Sequence, residues 1–324
     1  MSKTESEEPN SNPPEDHEEY VHEDDTVIGQ ALKWSGIAAV LLVVAGFVAY
    51  TLLKPKVEVV QAVDTEVVAP VQREVPAEES VPEAKFTDIT ESAGIDFSHN
   101  NGATGDKLLP ESMGSGVAFF DFDADGDQDL LFTNGTWWPW DADEKPELKP
   151  TTAVLYRNDG KGVFEDVTAG SGLDVPFYGM GVAIGDIDND GLPDVYQTAV
   201  GSNRLFRNLG NGKFADVTQQ SGVAGGEKEW STSAAFSDID NDGDLDLFVC
   251  SWFQNNTGNR LFINQGNNPE GVPQFTDATA SMGVDLSTLR GFTPRMVDVT
   301  GDRLPDLLIT ADFGTSRLLI NEGL

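Results

Sequence analysis

The chain has 324 residues, of which 55 are acidic and 20 basic, for a formal charge of −35. So strong a negative balance excludes nucleic acid and anionic lipid headgroups as natural partners. One cysteine, Cys250, excludes a disulfide framework, and its setting in the apolar run LFVCSW marks it as a core thiol.

Residues 1–32 hold ten acids between Glu5 and Asp25, with Pro13-Pro14 and no apolar period, and read as a disordered acidic tail. Residues 33–53 follow as a single transmembrane helix that serves as a signal anchor. Trp34 to Leu53 is twenty residues without a charge, bracketed by Lys33, Lys54 and Lys56. At 1.5 Å per residue that run spans about 30 Å. A cleaved signal peptide fits less well, because the preceding segment is long and acidic and no small-x-small site follows. The lysine balance around the helix leans by one charge toward a cytosolic C-terminal side. The calcium chemistry argued below points the other way and places the rest of the chain on the extracytoplasmic side, periplasmic or extracellular. Residues 54–84, with Pro55, Pro70, Pro76 and Pro82, read as an extended stalk.

Residues 85–324 are a repeat region. One copy runs from Gly181 to Thr218: GVAIG, then DIDNDGLPD, VYQTAV, a GSN turn, RLFRN, a turn at Gly210-Asn211-Gly212, and KFADVT. Short β-rich runs between Gly and Asn turns, with no helical segment separating them, give about four strands per copy and an all-β, propeller-type fold. Asp-rich loops begin at Asp121, Asp186, Asp238 and Asp298, spaced 65, 52 and 60 residues apart. A second landmark recurs as LYRNDGKGVFEDVT (155–168), LFRNLGNGKFADVT (205–218) and LFINQGNNPEGVPQFTDAT (261–279). The chain ends on LLINEGL, and the repeat region opens on KFTDIT at 85–90, the strand that should follow it. Donation of that strand to the last blade would close a small ring of about four four-stranded blades and hide its edges. A partial propeller has the same phase.

The loops have the form D-x-D-x-D-G-x-x-D. Loop one supplies Asp121, Asp123, Asp125 and Asp129, with Asp127 at the backbone-carbonyl position. Loop two supplies Asp186, Asp188, Asp190 and Asp194, with Leu192 there, and loop three Asp238, Asp240, Asp242 and Asp246, with Asp244. Side chains at positions 1, 3, 5 and 9 converge because glycine at position six lets the backbone turn sharply. Uncompensated, each close carboxylate pair costs about 3–4 kcal/mol at an effective dielectric near 20. A hard cation relieves this, and an all-oxygen set fits calcium better than magnesium, zinc or copper. An EF-hand is excluded, since its bidentate Glu at position twelve is replaced by Phe132, Gln197 and Val249. Loop four, with Asp298, Asp302 and Asp306, has Thr300 at position three and Arg303 in place of the glycine. It either keeps a weak site or uses Arg303 as an internal cation.

The Asp loops together with the LYRNDG-x-FxDVT strand pair resemble FG-GAP/VCBS repeats of the integrin-α type, and specifically the cartilage acidic protein-like family. The stretch FTDITESAGIDFSHNNGATGDKLLPESMGSGVAFFDFDADGDQDL carries the resemblance most closely. It implies a calcium-loaded extracytoplasmic propeller, usually of about seven blades, followed in many members by an ASPIC/UnbV domain. This sequence stops after its fourth loop without that domain, so the resemblance implies a small ring, an open ring completed by another chain, or a truncated reading frame.

No catalytic residue stands out: His99 reads as a polar turn residue. The functional expectation is a non-enzymatic, calcium-binding adhesion scaffold whose protein or glycan ligand meets Trp137, Trp138 and Trp140 in the insertion TNGTWWPWDADEKPELKP. Packing of these aromatics over the blade edge is the competing account. The alternative function is a calcium-dependent polysaccharide lyase or phosphoesterase, with Arg157, Arg207, Arg290 and Arg295 as candidate anion-binding groups. Asn134 and Asn255 lie in glycosylation patterns.

Overall fold

The computed structural model describes residues 25–53, 84–138, 149–252 and 258–323. Residues 1–24 of the expected tail, most of the stalk, Trp140 and the sequon at Asn255 lie outside the described residues, while 25–32, expected as disordered tail, are helical and continuous with the apolar run. The chain divides into two units, Met1–Glu83 and Ala84–Leu324. In the first, helix α1 runs Asp25–Leu53. Among the residues whose side chains are described, no helix is long and apolar enough to cross a membrane; positions 48–53, the end of the expected span, lie outside them.

The second unit is all-β. Its first sheet has β1 (Val117–Phe120), β2 (Asp129–Phe132), β3 (Val154–Asn158) and β4 (Phe164–Asp166). The second has β5 (Tyr178–Gly185), β6 (Asp194–Val200), β7 (Arg204–Asn208) and β8 (Phe214–Asp216). The third has β9 (Ser231–Ser237), β10 (Asp246–Ser251), β11 (Arg260–Asn267) and β12 (Pro273–Asp277). The fourth has β13 (Gly291–Val297), β14 (Asp306–Ala311) and β15 (Arg317–Leu319). Every sheet is an antiparallel meander in chain order, as expected of propeller blades.

Burial explains which runs became central. DVYQTAV and DLFVCS are buried at every position and form the second strands β6 and β10, whereas FED at the outer edge is largely exposed. The core lies between sheets. Phe120, Leu131 and Leu155 of the first pack with Val195 and Phe206 of the second; Ala183, Tyr196 and Leu205 then pack with Leu247, Val249 and Phe262 of the third. Phe248, Cys250 and Leu261 complete the series against Leu307 and Ile309. Each large side chain so buried contributes about 1.5–3 kcal/mol.

The inner strands pack in sequence, β1 on β5, β5 on β9 and β9 on β13, with no comparable packing from β13 back to β1 among the described residues. Close approach there depends on small residues. A Cβ on Gly181 would lie 2.7 Å from the Thr232 carbonyl oxygen. The expected closure by 85–90 does not occur within the chain: residues 84–89 form no strand, and the fourth sheet keeps three. The reason is local. The turn after that segment is held on the first sheet, where the Phe164 N–H donates to the Ala93 carbonyl at 2.8 Å.

Candidate metal centres

Each Asp loop joins the first and second strands of its sheet. Positions four and six both take positive φ: Ala124 61° and Gly126 95°, Asn189 59° and Gly191 90°, Asn241 59° and Gly243 95°. This double left-handed turn wraps the backbone around the position-one carboxylate. Gly126, Gly191 and Gly243 donate their N–H to Asp121, Asp186 and Asp238 at 2.9, 2.9 and 3.0 Å.

Position nine is the most buried member. Asp129, Asp194 and Asp246 are 0% exposed, and each accepts two backbone hydrogen bonds. Asp129 takes one from Phe122 inside the loop and one from Asn158 on β3, at 3.0 and 2.8 Å. Asp246 repeats this with Ile239 and Asn264, at 2.9 and 2.8 Å. Burial nevertheless dominates their ionisation, pushing Asp129 and Asp246 up to about 6 and Asp194 up to about 7.

Three of the expected sets come together. Carboxylate oxygens of Asp121, Asp123 and Asp129 lie within 4.8 Å of one another, as do those of Asp186, Asp188 and Asp194 and those of Asp238, Asp240 and Asp246. Positions 1, 3 and 9 thus form the cluster, while Asp125, Asp190 and Asp242 at position five stand outside it. Asp125 and Asp242 cap the backbone N–H of position seven at 2.9 Å, and Asp190 does so for Leu192 at 3.0 Å. The side chains of Asp127 and Asp244 likewise lie outside the clusters; Asp244 accepts from the Asn189 amide at 2.7 Å.

The residues present fit a hard cation. In loop one, Asp123 Oδ1 is buried and has no hydrogen-bond partner, and burial followed by repulsion from Asp125 and Asp121 raises its pKa. Asp240 in loop three is raised first by burial, then by Asp242. Loop two differs: the Arg207 guanidinium on β7 pairs with Asp188 and, at 3.3 Å, with Asp190. The corresponding Arg157 turns away to Glu165 at 2.7 Å, and loop three has Ile263 there.

Loop four forms no such cluster among the described residues. Arg303 is not an internal cation to its acids; it adopts φ 76° and donates its backbone N–H to Asp298 at 2.8 Å, the task glycine performs elsewhere. Backbone donors from Arg303 and Gly301 hold Asp298 below the usual carboxylate range. Asp306 accepts from Val299 and Asn321, both at 2.9 Å. Asp302 caps Leu304 at 2.9 Å.

Sequence reasoning missed the asparagine of the recurring L-x-x-N run, which falls on β7 and β11 and two residues past β15. Asn208, Asn264 and Asn321 extend their amides to the position-two carbonyl of the preceding loop, at 2.8, 3.0 and 2.8 Å to Phe122, Ile187 and Ile239. Each of these three Asp loops is therefore tied to the next sheet. The recurrence of Asn in LYRN, LFRN, LFIN and LLIN was the available signal.

Other expectations land elsewhere. Trp138 is 2% exposed, stacked on Tyr178 with ring centroids 4.6 Å apart, so it serves as packing, while Trp137 is half-buried. Asn134 is buried and accepts from the Asn100 N–H at 2.8 Å, which removes it as a glycosylation site. His99 hydrogen-bonds the Ser115 hydroxyl at 2.6 Å. Arg290 lies over the rings of Trp252 and Phe313, and Arg295 donates to the Pro294 carbonyl.

With this geometry in place, the model of the FG-GAP-like repeat matches residues 140–197, 196–249 and 238–309, which together span more than half of the chain. The chain belongs to the FG-GAP-like repeat family. Its curated relatives include cartilage acidic proteins. It is 33% identical to Cartilage acidic protein 1 of Xenopus tropicalis over 163 residues, and 28% and 27% identical to the Mus musculus and Homo sapiens proteins over 159. Each match covers 48% of this chain and 24% of the relative, so the matched part spans about a quarter of those proteins. Among solved structures, an Agrocybe aegerita lectin that recognises non-reducing terminal N-acetylglucosamine superposes with a TM-score of 0.33 at 18% identity, over 63% of this chain and 51% of the lectin. That superposition is too loose to carry a functional argument.

Proposed function

We propose that this FG-GAP repeat protein is a calcium-stabilised binding scaffold, non-enzymatic, displayed on the extracytoplasmic face of a membrane by α1. The observation that carries the calcium reading is the threefold recurrence of position 1, 3 and 9 carboxylates within 4.8 Å. Calcium held there would supply positive charge to oxygens that otherwise repel one another. Because Asn208, Asn264 and Asn321 join each loop to the following sheet, neutralising a loop also firms the contact between sheets. Sites of this exposed, extracellular type bind at about 10⁻⁴–10⁻³ M, which supports the extracytoplasmic side.

The anchor is supported by the uncharged run 34–53 and by apolar side chains that face outward all around α1: Trp34 is 70% exposed, Leu42 73%, Val43 72% and Phe47 67%. Water does not tolerate such a surface, and hydrocarbon does. A protein or glycan ligand on the repeat unit remains the functional expectation. Trp137 is the candidate contact from the aromatic insertion.

Thermal melting of the detergent-solubilised chain tests the central claim. With dissociation constants near 0.1 mM, 1 mM calcium adds about 1.4 kcal/mol per occupied site. The melting temperature should fall on chelation and recover with calcium in preference to magnesium. Superimposable melts with and without chelator would overturn the reading.

A further inference from the structure

We propose that Arg207 takes the place of calcium in loop two, so that loops one and three bind the ion while loop two carries a cation of its own. The inference rests on the calcium reading of loops one and three.

The three loops share a backbone but not a charge. Loops one and three hold five aspartates each, whereas loop two has Leu192 at position seven and holds four. Arg207 lowers the charge further. Its Nε pairs with Asp188 Oδ2, and its Nη2 lies 3.3 Å from Asp190 Oδ2. Four carboxylates and one guanidinium leave a formal charge of −3 there, against −5 in each of the others.

The pair is built into the fold. The Asp188 side chain is 1% exposed, and its other oxygen accepts from the Asp190 N–H at 3.3 Å, so both oxygens are engaged. The end of β11 and the turn after it lie over the pair: the Asn267 amide donates to the Asp188 carbonyl at 2.9 Å, and a Cβ on Gly271 would sit 3.3 Å from Arg207 Nη1. In loop one, Asp123 Oδ1 is buried and has no hydrogen-bond partner.

The residue opposite the arginine on the outer strand decides where it turns. Arg157 on β3 and Arg207 on β7 hold the same position. Arg157 faces Glu165 and takes its carboxylate at 2.7 Å, whereas Arg207 faces Ala215, which offers no charge. Attraction to acids does not by itself set the direction, because loop one has more of them and Arg157 still turns away. In the third sheet the same position is Ile263, opposite Thr276, and supplies no cation.

An ion entering loop two would break a buried ion pair and leave the guanidinium without its partner, which weakens binding roughly 100-fold. Loop two is also tied to the third sheet through both Asn264 and Asn267. The contact between the second and third sheets therefore keeps its charge compensation when calcium is scarce.

The test counts ions by linkage. In urea titrations of the full chain in detergent, the slope of the log folding constant against log free calcium gives the number of ions taken up on folding. Between about 1 and 3 mM calcium the native chain should give a slope of about two. Arg207→Ile, which copies the third sheet, should raise it to about three, and adding Asp186→Asn to that variant should return it to about two. Ala215→Glu copies the first sheet and keeps the arginine; it should also give about three, and it carries the test if Arg207→Ile does not fold. A native slope of three, or a slope that stays at two when Arg207 is replaced or drawn away, would overturn the exclusion and leave calcium at loops one and three intact. A slope near zero in every chain would instead sink the calcium reading itself.

Discussion

Loops three and four have nearly the same backbone and different charge. In both, position one accepts from the residue at position six, Gly243 to Asp238 at 3.0 Å and Arg303 to Asp298 at 2.8 Å. In both, position nine accepts from position two and from the third strand. They diverge at position three, where Asp240 is replaced by Thr300, and only loop three gathers a carboxylate cluster. The lesson is a division of labour: positions one and nine shape the loop through backbone hydrogen bonds, and position three creates the charge density that calls for a cation.

The harshest way to break this comparison is to remove position nine from both loops. Asp246→Ala and Asp306→Ala each strand two backbone N–H groups, and each should cost about 2–4 kcal/mol in urea titrations, with or without calcium. A mild Asp306→Ala alongside a severe Asp246→Ala would show that position nine acts through metal. Next in size is loop two, where Arg207 already supplies a cation to Asp188, whose side chain is 1% exposed. Arg207→Ile should cost about 1–3 kcal/mol in chelator. The deficit should shrink when calcium is added, as read by paired melts. Asp240→Ala sharpens the contrast from the other side. It should lose about 1.4 kcal/mol of calcium-dependent stability while leaving the chelated protein unharmed, and Asp302→Ala in loop four should leave the calcium response untouched.

The response to pH probes the same loops without a substitution. Asp129 and Asp246 sit at about 6 and Asp194 at about 7, above the ordinary 3.8, chiefly because they are buried. Raised carboxylates favour the fold when protonated, a contribution complete below the unfolded value and lost as pH rises through 6–7. Chelated protein should therefore melt higher at about pH 5 than at about pH 7.5. The increment from calcium should shrink over the same descent, because protons and metal compete for the same oxygens.

Much of the site was legible because a loop of nine residues is a local object. Glycine at position six and aspartate at one and nine leave few backbone solutions, and three copies in register announce them. At position five, an Asp two residues before a free N–H caps it through one carboxylate oxygen, a contact that the spacing did not announce. Arg207 and Trp138 could not be placed from spacing. One depends on a guanidinium crossing from β7 to a loop preceding β6, the other on a ring stacking across forty residues of chain.

By itself the sequence determined the repeat, the order of strands within each sheet, the acid loops between first and second strands, and the strand-like KFTDIT ahead of the first sheet. These follow from period, turn chemistry and hydrogen bonds spanning a few residues. Tertiary structure alone decided which carboxylates converge, that Asn208, Asn264 and Asn321 tie loop to neighbouring sheet, and that Arg207 turns onto loop two. Those outcomes rest on contacts between strands and between sheets, where the packing of one sheet on the next, rather than local propensity, selects the partner.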